Sequence, residues 1–155
     1  MIVFLDTNIL GFLSTPSQDQ KTLKCQNWFE HLLVRGVLFT SSELCFYEVK
    51  RSLILAQKEG KKVLGIEKLE ELRQFIDVLI IDKKAINIAS EVWADSQLKD
   101  LPNVKQSSLD IDTIIVAHFT ILMDQFQGQY VVIATENIKH LGKFAEAQIW
   151  QNIKG

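Results

Sequence analysis

Asp6 directly follows a short apolar run, Ile-Val-Phe-Leu at 2–5, and opens the tripeptide Asp6-Thr7-Asn8. Ser41 and Ser42 follow a second apolar run, and Glu48 lies about one and a half turns into the helix expected behind them. Asp110 and Asp112 stand just before the most apolar helical stretch of the chain, and Thr135 and Asn137 follow a further apolar run at 130–134. If those runs are parallel strands, their carboxyl ends share one edge of the sheet, where ligands of open α/β sheets bind. Three segments then bring carboxylates to that edge, and a fourth brings a hydroxyl and an amide. Clustered carboxylates repel one another unless a cation lies between them. An oxygen-only donor set with no His–Cys cluster suits Mg²⁺ or Mn²⁺ better than Zn²⁺. Such a cation polarises a phosphate and activates water for in-line attack on a phosphodiester.

Each of these residues also has a purely structural use. Asp6 can cap a short helix over 7–10, and Asp110 or Asp112 can cap the apolar helix. Thr135 and Asn137 can form a turn. Glu43 fits a first-turn acid that serves Ser41 or Ser42 and the helix dipole. Glu48 is harder to place, because its neighbours Phe46, Tyr47 and Val49 are largely apolar and a carboxylate among them needs a partner. Arg51 or Lys50 would supply one.

The elements that position these groups alternate along the chain. Runs at 2–5, 37–39, 78–81 and 130–134 read as strands, with an edge strand at 148–153. Residues 12–19 read as loop. Cys25, Trp28, Phe29, Leu32 and Leu33 repeat at helical spacing before Gly36. Thr40, Ser41 and Ser42 supply caps for a helix reaching about Lys58, and Ile66, Leu69, Leu72 and Ile76 mark the next. Asp82 caps a helix with Ala85, Ile88, Ala89, Val92, Trp93 and Ser96 on its apolar face. Residues 98–108 read as a polar loop. Residues 112–126 are apolar nearly all round and so form a helix buried on several sides, and 137–144 is a short helix or turn. Alternating strands and helices specify an α/β fold in three layers, a central parallel sheet of four or five strands flanked by helices. The 155 residues suit a single domain over 1–155.

Composition narrows the partners. Hydrophobic residues make up 47% and charged residues 23%, as in an ordinary globular protein. The formal charge of -2 lacks the basic excess of proteins that hold long duplex nucleic acid. Any nucleic-acid site is therefore local, or a metal supplies the positive charge. Cys25 and Cys45 read as buried thiols of a reducing compartment. The opening MIVFLD lacks the basic start of a secretory leader, and no apolar run approaches the ~20 residues of a membrane helix. The expectation is a cytoplasmic protein with no membrane partner.

The motifs together resemble the PIN-domain family of metal-dependent ribonucleases, particularly its toxin-like bacterial members. FLDTNIL is similar to the family's N-terminal DTN or DTS motif and puts Asp6 in its first acid position. ELCFYEVKRSL looks like the second acid region, with Glu48 rather than Glu43 as the matching acid. LDIDTIIVAHF resembles the third motif, with Asp112 matching best and Asp110 an extra carboxylate nearby. VIATENIKHL looks like the last motif. There Thr135 matches a conserved hydroxyl, and Asn137 matches a position that is Asp in some members and Asn in others. The resemblance runs from residue 1 to about 144.

The resemblance implies a PIN-like fold and an Mg²⁺- or Mn²⁺-dependent endoribonuclease. Asp6, Glu48, Asp112 and Asp110 would serve as metal ligands, and Asn137 and Thr135 would orient the phosphate or a metal-bound water. Asn137 in place of Asp would hold a second metal less firmly. The resemblance also implies an RNA substrate, a homodimer and, for a toxin of a toxin–antitoxin pair, a small antitoxin protein as partner. Two other readings remain open. One is a catalytically weak or inactive PIN-like domain that binds RNA or protein. The other is an Asp-based phosphatase or phosphoryl-transfer domain, which would need a lysine such as Lys83 or Lys84 at the site. A dinucleotide site is disfavoured, since no glycine-rich loop follows the first strand.

Overall fold

The computed structural model describes residues 1–98 and 106–155. Its elements run β1 (Ile2–Leu5), α1 (Thr7–Ser14), α2 (Gln20–Val34), β2 (Leu38–Ser42), α3 (Glu43–Lys58), α4 (Gly65–Leu72) and β3 (Ile76–Leu79). There follow α5 (Lys83–Leu98), α6 (Gln106–Gln125), β4 (Val131–Thr135), α7 (Ile138–Leu141) and β5 (Ala147–Ile149), then a short 3₁₀ turn, Trp150–Asn152. The strands form one five-stranded sheet in the order β3-β2-β1-β4-β5, with every pairing parallel. The fold is thus the three-layer α/β arrangement that the alternating runs specify.

Parallel strands covered on both faces need side chains that are apolar in both directions. The Ile-Val-Phe-Leu of β1 and the Val131–Thr135 strand are buried along their whole length. Successive residues of a strand face opposite sides of the sheet, so the register assigns the faces. Val3 lies beside Phe39, and Phe39 meets Trp28 and Phe29 of α2 at ring separations of 5.9 and 4.5 Å. Phe4 lies beside Thr40 and points the other way, toward His118 of α6 at 6.5 Å. The apolar helix α6 packs against α5 and β4 on that side.

Several boundaries differ from the sequence expectation. Helix α1 continues to Ser14, into the stretch read as loop, and the Ser14 and Thr15 hydroxyls donate to Gly11 O at 3.2 and 2.7 Å to finish it. Strand β2 carries on through Thr40 and Ser41 to Ser42, which alone of the three caps α3 by accepting from Leu44 N–H at 3.1 Å. Strand β3 begins at Ile76, paired beside Phe39, so Ile76 belongs to the sheet and not to the preceding helix. The last strand is only Ala147–Ile149. Of the polar loop expected at 98–108, residues 99–105 lie outside the described residues, and α6 already begins at Gln106. Asp82 caps α5 as expected, accepting from Ala85 N–H at 2.8 Å. Among the described residues no helix is long and apolar enough to cross a membrane.

Candidate active site

The chain adds β2 and β3 on one side of β1 and then returns to add β4 and β5 on the other. The crevice between connections that leave in opposite directions opens beyond the carboxyl ends of β1 and β4. A cleft of about 260 Å³ lies there, lined by Asp6, Thr7, Asn8, Glu48, Ile111, Asp112, Asn137 and Leu141. Carboxylates from the end of β1, from α3 and from α6 therefore share one cavity.

Asp6 is the most buried of them. It is 8% exposed and precedes α1 in an extended conformation. Its Oδ1 accepts from the Thr7 backbone N–H at 2.6 Å, so the helix-cap use is present. Its Oδ2 accepts from the Thr135 hydroxyl at 2.7 Å, across the β1–β4 pairing. Capping and cleft are compatible uses of one side chain, because each carboxylate oxygen offers a further lone pair. Burial pushes the Asp6 carboxyl above its ordinary range, and the negative charge of Glu48 adds to this, while the bonds from Thr135 and Thr7 oppose it.

Glu48 is held from two sides. The Thr7 hydroxyl donates to Oε2 at 2.7 Å, and Arg51, one turn along α3, donates to Oε1 at 3.1 Å. Arg51 rather than Lys50 is its ion-pair partner; Lys50 reaches Glu70 at 2.8 Å. Asp112 enters the cleft from α6. Asp110 does not line the cleft and is exposed. Helix α6 begins at Gln106, so neither Asp110 nor Asp112 caps it. Residues two apart on a helix lie on different faces, which separates the two acids. Thr135 does not line the cleft either but stands behind Asp6, and its Oγ accepts from Asn137 N–H at 3.0 Å. Asn137 lines the cleft and caps α7, its Oδ1 accepting from Lys139 N–H at 3.2 Å.

Thr7 was not singled out in the sequence, yet it touches both Asp6 and Glu48. The only available signal was its place between Asp6 and Asn8. Glu136 follows β4 as directly as Asn137, but it accepts from the Trp150 indole at 2.6 Å and pairs with Lys21. Neither Lys83 nor Lys84 lines the cleft, and Lys84 faces Asp124 at 3.7 Å. His118 is packed in the core, with Nε2–H donating to Ile80 O at 3.1 Å. Cys25 and Cys45 are buried free thiols. Among the described residues, no group of three or more His, Cys, Asp or Glu side chains is arranged to hold a metal ion as it stands.

The parallel sheet whose strand order turns back at β1, with acids at that switch point, matches the PIN-like three-layer fold that the sequence motifs imply. Among solved structures the chain is similar to VapBC2 from Rickettsia felis, solved bound to a DNA fragment from their promoter. That likeness has a TM-score of 0.67 at 16% identity, over 96% of this chain and 98% of the other. VapBC-1 from nontypeable Haemophilus influenzae superposes with a TM-score of 0.63 at 19% identity, covering 98% and 100%. A toxin–antitoxin complex from Klebsiella pneumoniae gives 0.60 at 14% identity, covering 97% and 99%. At these identities the likeness is one of fold. No family model matches the chain, and no curated protein matches it.

Proposed function

We propose that the protein is a metal-dependent endoribonuclease that hydrolyses RNA phosphodiester bonds, and that it acts as the toxin of a toxin–antitoxin pair. The observation that carries this reading is the single cleft shared by Asp6, Glu48 and Asp112, three acids from separate parts of the chain, at the switch point of the fold. The likeness in fold to toxin–antitoxin complexes supports the same reading.

The residues fit a hard divalent cation. The donors are all oxygens, and a cation would offset the burial, and the lesser repulsion from Glu48, that raise the Asp6 carboxyl. Mg²⁺ keeps several of its waters, so Asp6, Asp112 and Glu48 would hold it partly through water rather than as a closed cage. When bound, the cation would neutralise the phosphate and supply an activated water. Thr135 and Thr7 fix the Asp6 carboxylate, the Thr7 hydroxyl fixes Glu48, and the exposed Asn137 amide is free to orient a phosphate oxygen at the rim. Asp110 lies outside the cleft wall and would act only by adding negative potential nearby. The products would carry 5′-phosphates. The reading includes a cytoplasmic protein of one domain, a homodimer, and a small antitoxin protein as partner.

A second reading is a PIN-like domain that binds RNA or protein with little or no cleavage. It draws on Asn137 and on the lack of a group already arranged for metal among the described residues. One experiment separates the two. Cellular RNA is incubated with wild type and D6N in Mg²⁺, Mn²⁺ or chelator, and the product ends are mapped. Metal-dependent cuts with 5′-phosphates that vanish in D6N support the nuclease. Equal cleavage by both proteins, or cleavage that persists in chelator, rejects it. RNA retained uncut by wild type in both metals supports the second reading.

A further inference from the structure

We propose that Arg51 is the resident counter-ion of Glu48 and that a divalent cation entering the cleft displaces it, so that Arg51 sets how tightly the site binds metal. The inference rests on the metal-dependent reading above. Both oxygens of Glu48 are already engaged, Oε2 by the Thr7 hydroxyl at 2.7 Å and Oε1 by Arg51 at 3.1 Å. A cation that reaches Glu48 must share or replace one of these partners.

The two partners differ in how readily they give way. Thr7 opens α1, and its backbone N–H is bound to Asp6. The Arg51 side chain is 55% exposed and sits one turn along the same helix as Glu48. The Glu48 side chain is 15% exposed, but water still competes for the exposed Arg51 end, and ordering that long side chain keeps the pair weak. Arg51 also has somewhere to go, since its guanidinium already lies 5.4 Å from the centre of the Tyr47 ring. Oε1 is therefore the oxygen that opens to a cation.

The test is calorimetric titration of Mn²⁺ alone into metal-stripped protein, for wild type, R51Q, R51K and K50Q. Lys50 is the control, since it carries the same charge one residue away and is paired with Glu70. Loss of a weak exposed pair predicts that R51Q binds Mn²⁺ about two- to fivefold more tightly than wild type. R51K should stay near wild type and K50Q should be unchanged. Thermal melts check that each variant folds, with R51A as a second charge-removing change. Equal or weaker binding by R51Q and R51A overturns the proposal while leaving the metal reading standing. An equal gain in K50Q overturns it too, because the effect would then be general to surface charge. Absence of Mn²⁺ binding in wild type and R51Q alike overturns the metal reading and this inference together.

Discussion

Replacing Thr135 by valine tests the hidden support of the cleft. Valine keeps the β-branched shape that suits a buried strand and removes only the hydroxyl. That hydroxyl is fully buried, donates to Asp6 Oδ2 at 2.7 Å and accepts from Asn137 N–H at 3.0 Å. A hydrogen bond to a charged group contributes about 1.5–3 kcal/mol, and an orphaned N–H adds about 1 more where water reaches it only partly. The expected loss is about 3 kcal/mol, which in a chain of this size lowers Tm by roughly 6–12 °C. The effect should depend on pH in a set direction. The Thr135 bond lowers an Asp6 pKa that burial raises, so T135V costs more where Asp6 is ionised than where it is protonated. On the proposed metal reading, protons then compete harder for Asp6, and T135V needs more Mn²⁺ to saturate. Urea melts at several pH values and Mn²⁺ calorimetry measure both effects, with T135S as the conservative control. A T135V protein that melts within about 1 °C of wild type and binds Mn²⁺ equally would refute the reasoning, since the bond would then support nothing.

D6N should lose RNA cleavage and Mn²⁺ binding while staying folded, because Asn caps a helix about as well as Asp. With its folded pKa raised above the unfolded 3.8, ionised Asp6 costs stability that protonated Asp6 does not. Metal-free D6N should therefore equal or exceed wild type at neutral pH, and this advantage should fade as pH falls through the folded pKa toward 3.8; a D6N protein clearly less stable at pH 7 contradicts this. Burial lowers the pKa of His118 from 6.5 against weaker opposing effects of its bond to Ile80 O and of Asp82 and Glu43. The unfolded chain thus binds the extra proton first, and stability present above pH 6.5 should decline below it. H118Q should flatten that decline in urea melts at pH 5 and 7.5, and an unchanged slope would assign it to other groups. Sedimentation should show self-association, consistent with exposed Ile86, Trp93 and Leu98 on α5; monomer alone at micromolar concentration counts against the dimer.

What could be read from the sequence depended on how local the cause was. β1 and β4 were found within a residue because an apolar run with no alternation has one good use, a strand covered on both faces. β3 was displaced by two residues because Ile76 sits four residues after Leu72 and satisfies the helical period as well as the strand. α6 starts at Gln106, earlier than the sequence suggests, because Gln106, Ser107 and Ser108 have loop composition, and Asp110 and Asp112 therefore read as neighbours at the helix start. Placed on a helix, they diverge. Asp6 and Asn137 line the cleft from just beyond β1 and β4, which sequence order reveals, whereas Glu48 and Asp112 reach it from within α3 and α6. The Thr7–Glu48 bond spans 41 residues and the Thr135–Asp6 bond 129. Nothing in local spacing could show which hydroxyl meets which acid.

The central place of β1 has a consequence for how the protein is made. Of the five described strands, β1 is made earliest, yet it is flanked by β2 and by β4, and Asp6 N–H finds its backbone acceptor on Ala134, at 3.1 Å. At about 5–20 residues per second, the 129 residues between Asp6 and Thr135 take roughly 6 to 26 s to synthesise. For most of that interval the nascent chain already holds Asp6 and Glu48 but lacks β4, the second neighbour of β1. The cleft is thus completed late in synthesis, and a product that stops short of β4 carries the same acids without Asn137 and Leu141 of its lining.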